Sequence, residues 1–306
     1  MKIGIIGVGS VGGAIASAIV MGEMAGEVGL FDVDAKRLKS ACLDLSHAAA
    51  FGRGVRVTAG GGYSAIKGAD IVVISAGANQ KIGESRVNLA GRNAAVMHDV
   101  VPKIMRVVDC KKVILIVVSN PLDSMVMVAQ KISKLPKGRV IGTGTMLDSA
   151  RFRAEVAAHF NVSPGAVDAS VLGEHGDSSV LNWAGARAGD VPISDFAKEV
   201  RIPFSEKTKA EICARVKGAA MEIIQGRGAT WDGIAAATVD LIRAINNDER
   251  RVLTASIACG AGIAFSMPRI VGRNGVSSTV APVMDAAEKR GLAVSIKVIR
   301  RTCKAI

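Results

Sequence analysis

Four histidines occur in this chain of 306 residues: His47, His98, His159 and His175. Histidine is the side chain whose ordinary pKa, about 6.5, lets it take up and release a proton near neutral pH. The first three stand among alanines, valines and charges in stretches that read as helix, where packing or surface exposure explains them. His175 is different. It lies in Val171-Leu172-Gly173-Glu174-His175-Gly176-Asp177-Ser178, flanked by glycines and directly after an apolar run. Glycines there remove side-chain bulk and let a small ligand come close, so His175 reads as a working acid/base.

Such a base needs an orienting group and a substrate clamp. Asp148 and Arg151 open a later helix three residues apart, so they project from one face. By spacing alone an ordinary i,i+3 ion pair is as good a reading. A carboxylate on the imidazole would set its tautomer, which makes Asp148 the candidate orienter. An arginine fork binds a substrate carboxylate bidentately, and Arg151 is the candidate. Arg86, at the end of the polar loop Asn79-Gln80-Lys81-Ile82-Gly83-Glu84-Ser85, could polarise a carbonyl as that loop closes like a lid, with Asn120 bonding the same oxygen.

What feeds electrons to this site is written at the N-terminus. Lys2 to Ile6 reads as a buried strand, followed by Gly7-Val8-Gly9-Ser10-Val11-Gly12-Gly13 and a helix to Met21. A G-x-G-x-x-G turn between strand and helix is the dinucleotide fingerprint: Gly7 for the tight turn, Gly9 for close approach of a pyrophosphate, Gly12 for helix packing. Asp32 ends a second strand twenty residues after Gly12 and suits ribose hydroxyls, which selects NAD over NADP. Arg37 nearby weakens that preference slightly. Gly77 and Ala78 lie at the carboxyl end of the strand Ala69 to Ser75, where a cofactor would rest. Val11, Tyr63 and Ser119, from neighbouring turns, complete the expected cofactor contacts.

Strands at Val55 to Thr58, Lys112 to Val118 and Val140-Ile141 alternate with helices at Asp34 to Ala50 and Arg86 to Val108, the latter with a break expected at Pro102. The Asn120-Pro121 step suggests a rigid, cis turn. This β-α-β-α run predicts an α/β fold, a doubly wound parallel sheet over residues 1–145. Residues 146–306 predict a mixed α+β substrate domain: a strand at Val167 to Leu172, helices at Glu206 to Ile224 and Trp231 to Asn246, a glycine-rich turn between them, paired strands at Val252 to Ala258 and Gly262 to Phe265, and a closing helix at Val283 to Lys289.

Bulk composition excludes several classes. Apolar residues make up 49% of the chain and aromatics 3%, with 34 glycines, which suits packed α/β layers and argues against disorder. No signal peptide or membrane span is legible, and five scattered cysteines in no C-x-x-C pattern read as reduced thiols in a cytoplasmic protein. No metal site is expected. The formal charge of +12 is spread out and carries no nucleic-acid motif, so a solvated basic surface is the plain reading.

Taken together, Gly7-x-Gly9-x-x-Gly12, Asp32, the loop from Asn79 to Arg86, Asn120-Pro121-Leu122-Asp123, Leu147-Asp148-Ser149-Ala150-Arg151-Phe152-Arg153 and Leu172 to Ser178 resemble the NAD-dependent L-lactate/malate dehydrogenase family over the full length. The resemblance implies His175 as proton donor and acceptor, Asp148 orienting it, Arg151 on the substrate carboxylate, and Arg86 and Asn120 on the carbonyl. Thr230 resembles the family's late substrate-wall threonine. Malate-specific members carry an arginine at the position of Gln80; a neutral glutamine suits the methyl group of pyruvate and implies the lactate side of the family. A relative acting on a bulkier L-2-hydroxy acid, a malate dehydrogenase and a silent dinucleotide-binding protein remain the alternatives. The implied partners are a small 2-oxo or 2-hydroxy acid and other copies of the chain, as a dimer or tetramer, with neither nucleic acid nor membrane.

Overall fold

A computed structural model describes residues 1–78 and 86–306, with the side chains of Arg86 and Ala261 outside that description. Gln80 and the expected lid from Asn79 to Ser85 therefore lie outside the described residues.

Short runs of β-branched residues bounded by turns form the central strands β1 (Lys2–Ile6), β2 (Glu27–Phe31), β3 (Arg56–Ala59), β4 (Ile71–Ile74), β5 (Ile114–Val117) and β6 (Val140–Gly142). They pair in parallel in the order β3-β2-β1-β4-β5-β6. All four residues of both β4 and β5 are buried, as expected of central strands covered on both faces. The helices that connect them are α1 (Ser10–Met21), α2 (Ala35–Ala49), α3 (Arg86–Met105) and α4 (Leu122–Ser133). This is the doubly wound α/β sheet expected, and ligands of such sheets bind beyond the carboxyl ends of the strands, where the order reverses.

The second half holds α5 (Met146–Phe160), β7 (Val167–Leu172), β8 (Val180–Ala188), β9 (Val191–Pro192), α6 (Ile193–Glu199), α7 (Glu206–Arg227), α8 (Asp232–Asn246), β10 (Arg251–Cys259), β11 (Ile263–Gly272), β12 (Gly275–Thr279) and α9 (Ala286–Lys304). β7, β8 and β9 form a small antiparallel sheet. The hairpin β10–β11 and strand β12 do not form a layer of their own. β10 docks antiparallel on β6 through Ser256 and Gly142, so among the described residues one sheet runs through nine strands, from β12 to β3.

Three apolar clusters follow. One face of the large sheet packs under α1, α2 and α8, the other under α3, α4 and α9, and a third cluster centres on Phe152 between α5, β7 and β8. Several expectations need correction. α3 runs through Pro102 without ending there. α7 persists to Arg227, and Gly228, at φ +80°, ends it, so the glycine-rich turn is shorter than expected. The closing helix extends to Lys304 and takes in the basic tail; its buried face carries Glu288, Ser295, Ile299, Thr302 and Cys303, whose small and polar members disguise the helical stripe. No helix among the described residues is long and apolar enough to cross a membrane.

Candidate active site

The glycine turn sits between β1 and α1. Gly7 has φ +90°, a conformation L side chains rarely adopt, and a Cβ on Gly12 would stand 1.8 Å from the Gly7 carbonyl oxygen. At Gly9, by contrast, a Cβ would meet nothing within 4 Å. Gly9 is also the N-cap of α1 and offers no side-chain cap, and no acidic residue stands in the first turn. The free N–H groups and positive end of the helix dipole are thus left for a ligand, which fits a pyrophosphate. A cleft of about 790 Å³ opens here, lined by Val8, Gly9, Gly13, Arg37 and, from the second half, Trp231 and Asp232.

Asp32 is buried at the end of β2. It accepts the Val8 N–H on Oδ2 at 2.8 Å and the Asp34 N–H on Oδ1 at 2.9 Å, which ties the glycine turn to the second strand. A carboxylate has about four lone-pair sites, so acceptor capacity remains for ribose hydroxyls. Arg37 reaches to 3.7 Å from the same carboxylate while half exposed. These features fit NAD on the side of the cofactor that carries adenosine and pyrophosphate.

Tyr63 is placed differently from the other cofactor candidates. Its ring stacks on Phe31 at 4.2 Å, and its hydroxyl is buried with no hydrogen-bond partner among the described residues. Burial pushes the phenol up to about 12, with Asp99 adding to the effect. Ser119 gives its hydroxyl to main-chain carbonyls, at 2.6 Å to Ala76 and 3.2 Å to Ile74. Gly77 and Ala78 lie against Asn93, a fully buried amide of α3 that sequence reasoning passed over. Asn93 Oδ1 accepts the Ala78 N–H at 2.7 Å, and its Nδ2 donates to the Ala78 and Asn120 carbonyls at 3.2 and 2.6 Å. One side chain thereby fastens the ends of β4 and β5 together. The signal for it was a polar residue on the apolar stripe of a helix.

The second half supplies the candidate acid/base group, His175, and its partners. Asp148, in the first turn of α5, lies between His175 and Arg151. Its Oδ2 is 2.7 Å from His175 Nδ1, and its Oδ1 accepts from Arg151 Nη1 at 3.1 Å. Asp148 thus makes the plain i,i+3 ion pair with Arg151 and meets the His175 ring as well. Burial works to raise the Asp148 pKa, but the charges and hydrogen bonds of His175 and Arg151 outweigh it and hold the carboxyl below its ordinary range.

The His175 turn is pinned from several sides. Gly173, at φ +88°, bridges Ser266 of β11. The Glu174 N–H donates to Ser295 Oγ of α9 at 2.8 Å, and the Glu174 carboxylate accepts from Ser178. Asn120 precedes Pro121 through a cis peptide, as expected, and Pro121 lines one small cavity with His175. Thr230 falls in the turn ahead of Trp231, which lines the cofactor-side cleft. Arg86 opens α3, but its side chain is outside the description. The structure thus gathers His175, Asp148 and Arg151 by direct contact, while Asn120 makes its contact through its carbonyl, which accepts from Asn93.

The chain is similar to known proteins over its whole length. Residues 1–142 match the model of the lactate/malate dehydrogenase NAD binding domain, and residues 145–306 that of the lactate/malate dehydrogenase alpha/beta C-terminal domain. An L-lactate dehydrogenase of Allorhizobium ampelinum is 41% identical, covering 98% of this chain and 97% of its own. One of Thermus aquaticus is 40% identical over 100% of this chain and 99% of its own. The solved structure of a minor L-lactate dehydrogenase from Enterococcus mundtii superposes with a TM-score of 0.94 at 34% identity, covering 100% of this chain and 98% of that one. With both family models together accounting for nearly every residue, and relatives 40% and 41% identical over almost the full length, the chain belongs to the lactate/malate dehydrogenase family.

Proposed function

We propose that this protein is an NAD-dependent L-lactate dehydrogenase, interconverting pyruvate and L-lactate. The observation that carries the acid/base assignment is the 2.7 Å contact between His175 Nδ1 and Asp148, which fixes the orientation of the imidazole; in this reading Nε2 is the atom that exchanges a proton with the substrate oxygen. In the direction of reduction, His175 as imidazolium gives its Nε2 proton to the carbonyl oxygen as that oxygen becomes an alkoxide. Asp148 keeps the ring oriented and balances its charge. Arg151 spends one nitrogen on Asp148 and directs its remaining donors to the substrate carboxylate. Arg86 and Asn120 stabilise charge developing on the carbonyl oxygen. NAD(H), when bound, supplies or accepts the hydride; the glycine turn and Asp32 hold it, with Val11, Arg37, Tyr63, Gly77, Ala78 and Ser119 as surrounding contacts.

Substrate choice rests on Gln80 and Thr230 in this reading. A neutral Gln80 offers no counter-charge to the second carboxylate of oxaloacetate and accommodates a methyl group. We divide the chain into a cofactor domain, 1–145, and a substrate domain, 146–306. We further propose a cytoplasmic homo-oligomer, a reading supported by the free cysteines and by exposed apolar side chains such as Met21, Leu43 and Phe51.

NADH absorbance with pyruvate, oxaloacetate and 2-ketoisocaproate in parallel tests the proposal. Pyruvate should give the largest kcat/KM, by about tenfold or more over either competitor. Preference for oxaloacetate or the branched acid would overturn the substrate, and no turnover of any of the three would overturn the enzyme.

A further inference from the structure

We infer that Asp123 is a positioning residue that holds the main chain of His175 while Asp148 holds its ring, an inference that rests on the dehydrogenase reading and deepens it. Asp123 ends the Asn120-Pro121-Leu122-Asp123 stretch and stands in the first turn of α4, and the proposed reaction otherwise leaves it without a task. It is only 4% exposed. Its oxygens reach in two directions: Oδ2 accepts the His175 backbone N–H at 2.9 Å, and Oδ1 accepts the Ser256 hydroxyl at 2.6 Å. Ser256 is fully buried at the residue where β10 joins β6. One carboxylate thus fastens three separate segments: the start of α4 beneath Asn120, the seam of the large sheet, and the catalytic turn.

A purely structural role would be better served by a neutral side chain. Burial pushes the Asp123 carboxyl up to about 6, against the hydrogen bonds from Ser256 and His175 and the charge of His175, while Glu174 adds to the rise. Ionised Asp123 is therefore a burden on the fold, and what it supplies in return is an acceptor for His175 and a negative charge near the imidazole. The groups facing it are Glu174 and His175 from the turn, Ser256 from β10 and Cys303 from α9; Ser124 and Lys131 of α4 act in turn on Cys303, and Asp148 and Arg151 stand beyond the imidazole.

Two substitutions separate the acceptor from the charge. Asp123→Asn keeps an oxygen for the His175 N–H and lets its amide donate to Ser256, but removes the charge. Asp123→Ala removes both. With pyruvate and NADH, Asp123→Ala should lose about 100-fold in kcat, as expected when a general acid is displaced by an ångström, while NADH affinity measured by fluorescence changes less than about threefold. Asp123→Asn should keep most of kcat but move the alkaline limb of the pH–kcat/KM profile down by about half a unit to one unit, because a nearby negative charge favours the imidazolium. Ser256→Ala, which frees one side of the carboxylate, should lose about three- to tenfold in kcat and stands in if Asp123→Ala does not fold.

An alanine variant within threefold of wild type overturns the inference, as does an unmoved pH limb in Asp123→Asn. If Asp123→Ala does not fold, an unchanged kcat in Ser256→Ala overturns it equally. Wild-type turnover is the control that keeps the two claims apart: without it the dehydrogenase reading itself fails, and with it only the role of Asp123 is in question.

Discussion

The chemistry of this protein is concentrated in carboxylates whose surroundings push them in opposite directions. Asp148 is held below its ordinary pKa by His175 and Arg151 despite burial, whereas burial pushes Asp123 up to about 6. The signs of their effects on stability follow. Asp148, with a depressed folded pKa, adds stability that is present above its unfolded pKa and is lost as pH falls through the folded value. For Asp123 the unfolded chain gives up its proton first, so stability is lost as pH rises from the ordinary 3.8 towards about 6. At about 1.4 kcal/mol per unit the loss approaches about 3 kcal/mol. Asp123→Asn cannot ionise there, so its stability relative to wild type should grow by up to that amount between about pH 4 and pH 7. Urea unfolding at the two pH values measures the difference; a constant offset would show that Asp123 does not carry a proton into the folded interior.

At the scale of elements, the glycine turn separates two demands that share one motif. Gly12 is there for packing: any side chain would collide with the Gly7 carbonyl. Gly9 has ordinary φ and open space around its missing Cβ, so the fold itself does not require glycine. Gly9→Ala should therefore melt within a few degrees of wild type yet bind NADH about tenfold or more weakly, since its methyl group occupies the ligand's approach. Gly12→Ala should lower the melting temperature, because the backbone of α1 must move off β1. Thermal unfolding paired with NADH fluorescence distinguishes them, and equal effects of the two substitutions on both readouts would contradict the division. The elements around His175 follow a similar logic: α4, α9 and β11 each send a polar contact to its turn, adding tertiary partners to the turn's own Ser178–Glu174 hydrogen bond.

Over the whole molecule, the two family halves are not two cores. The cluster beneath α1 contains Ile3, Ile15 and Val28 from the first half together with Leu241, Ile242, Leu253 and Ala255 from the second. β10 also covers the edge of β6 that the first half would leave unpaired. A fragment of residues 1–145 should therefore expose a broad apolar face and an open sheet edge, and aggregate or bind a hydrophobic dye, while the full chain unfolds in one cooperative step. Solubility on gel filtration and calorimetry of both chains check this. A well-folded fragment with native-like NADH affinity would show that the seam contributes little.

Much of this protein was determined by local sequence. The alternating β and α runs, Gly7 to Gly12, Asp32 twenty residues on, and His175 between glycines are each set by steric and chemical requirements of a few neighbouring residues, which a linear reading can follow. What escaped it shares one physical cause: the decisive partner lies far away along the chain. Nothing near Asn93 says that it will clasp Ala78 and Asn120, and nothing near Asp123 says that its carboxylate will meet His175 and Ser256. The continuation of the sheet from β6 into β10, and the length of α9 with its small, polar buried face, depend likewise on what packs opposite. Local sequence determined which residues could do the chemistry; only the tertiary structure decided how His175 is held.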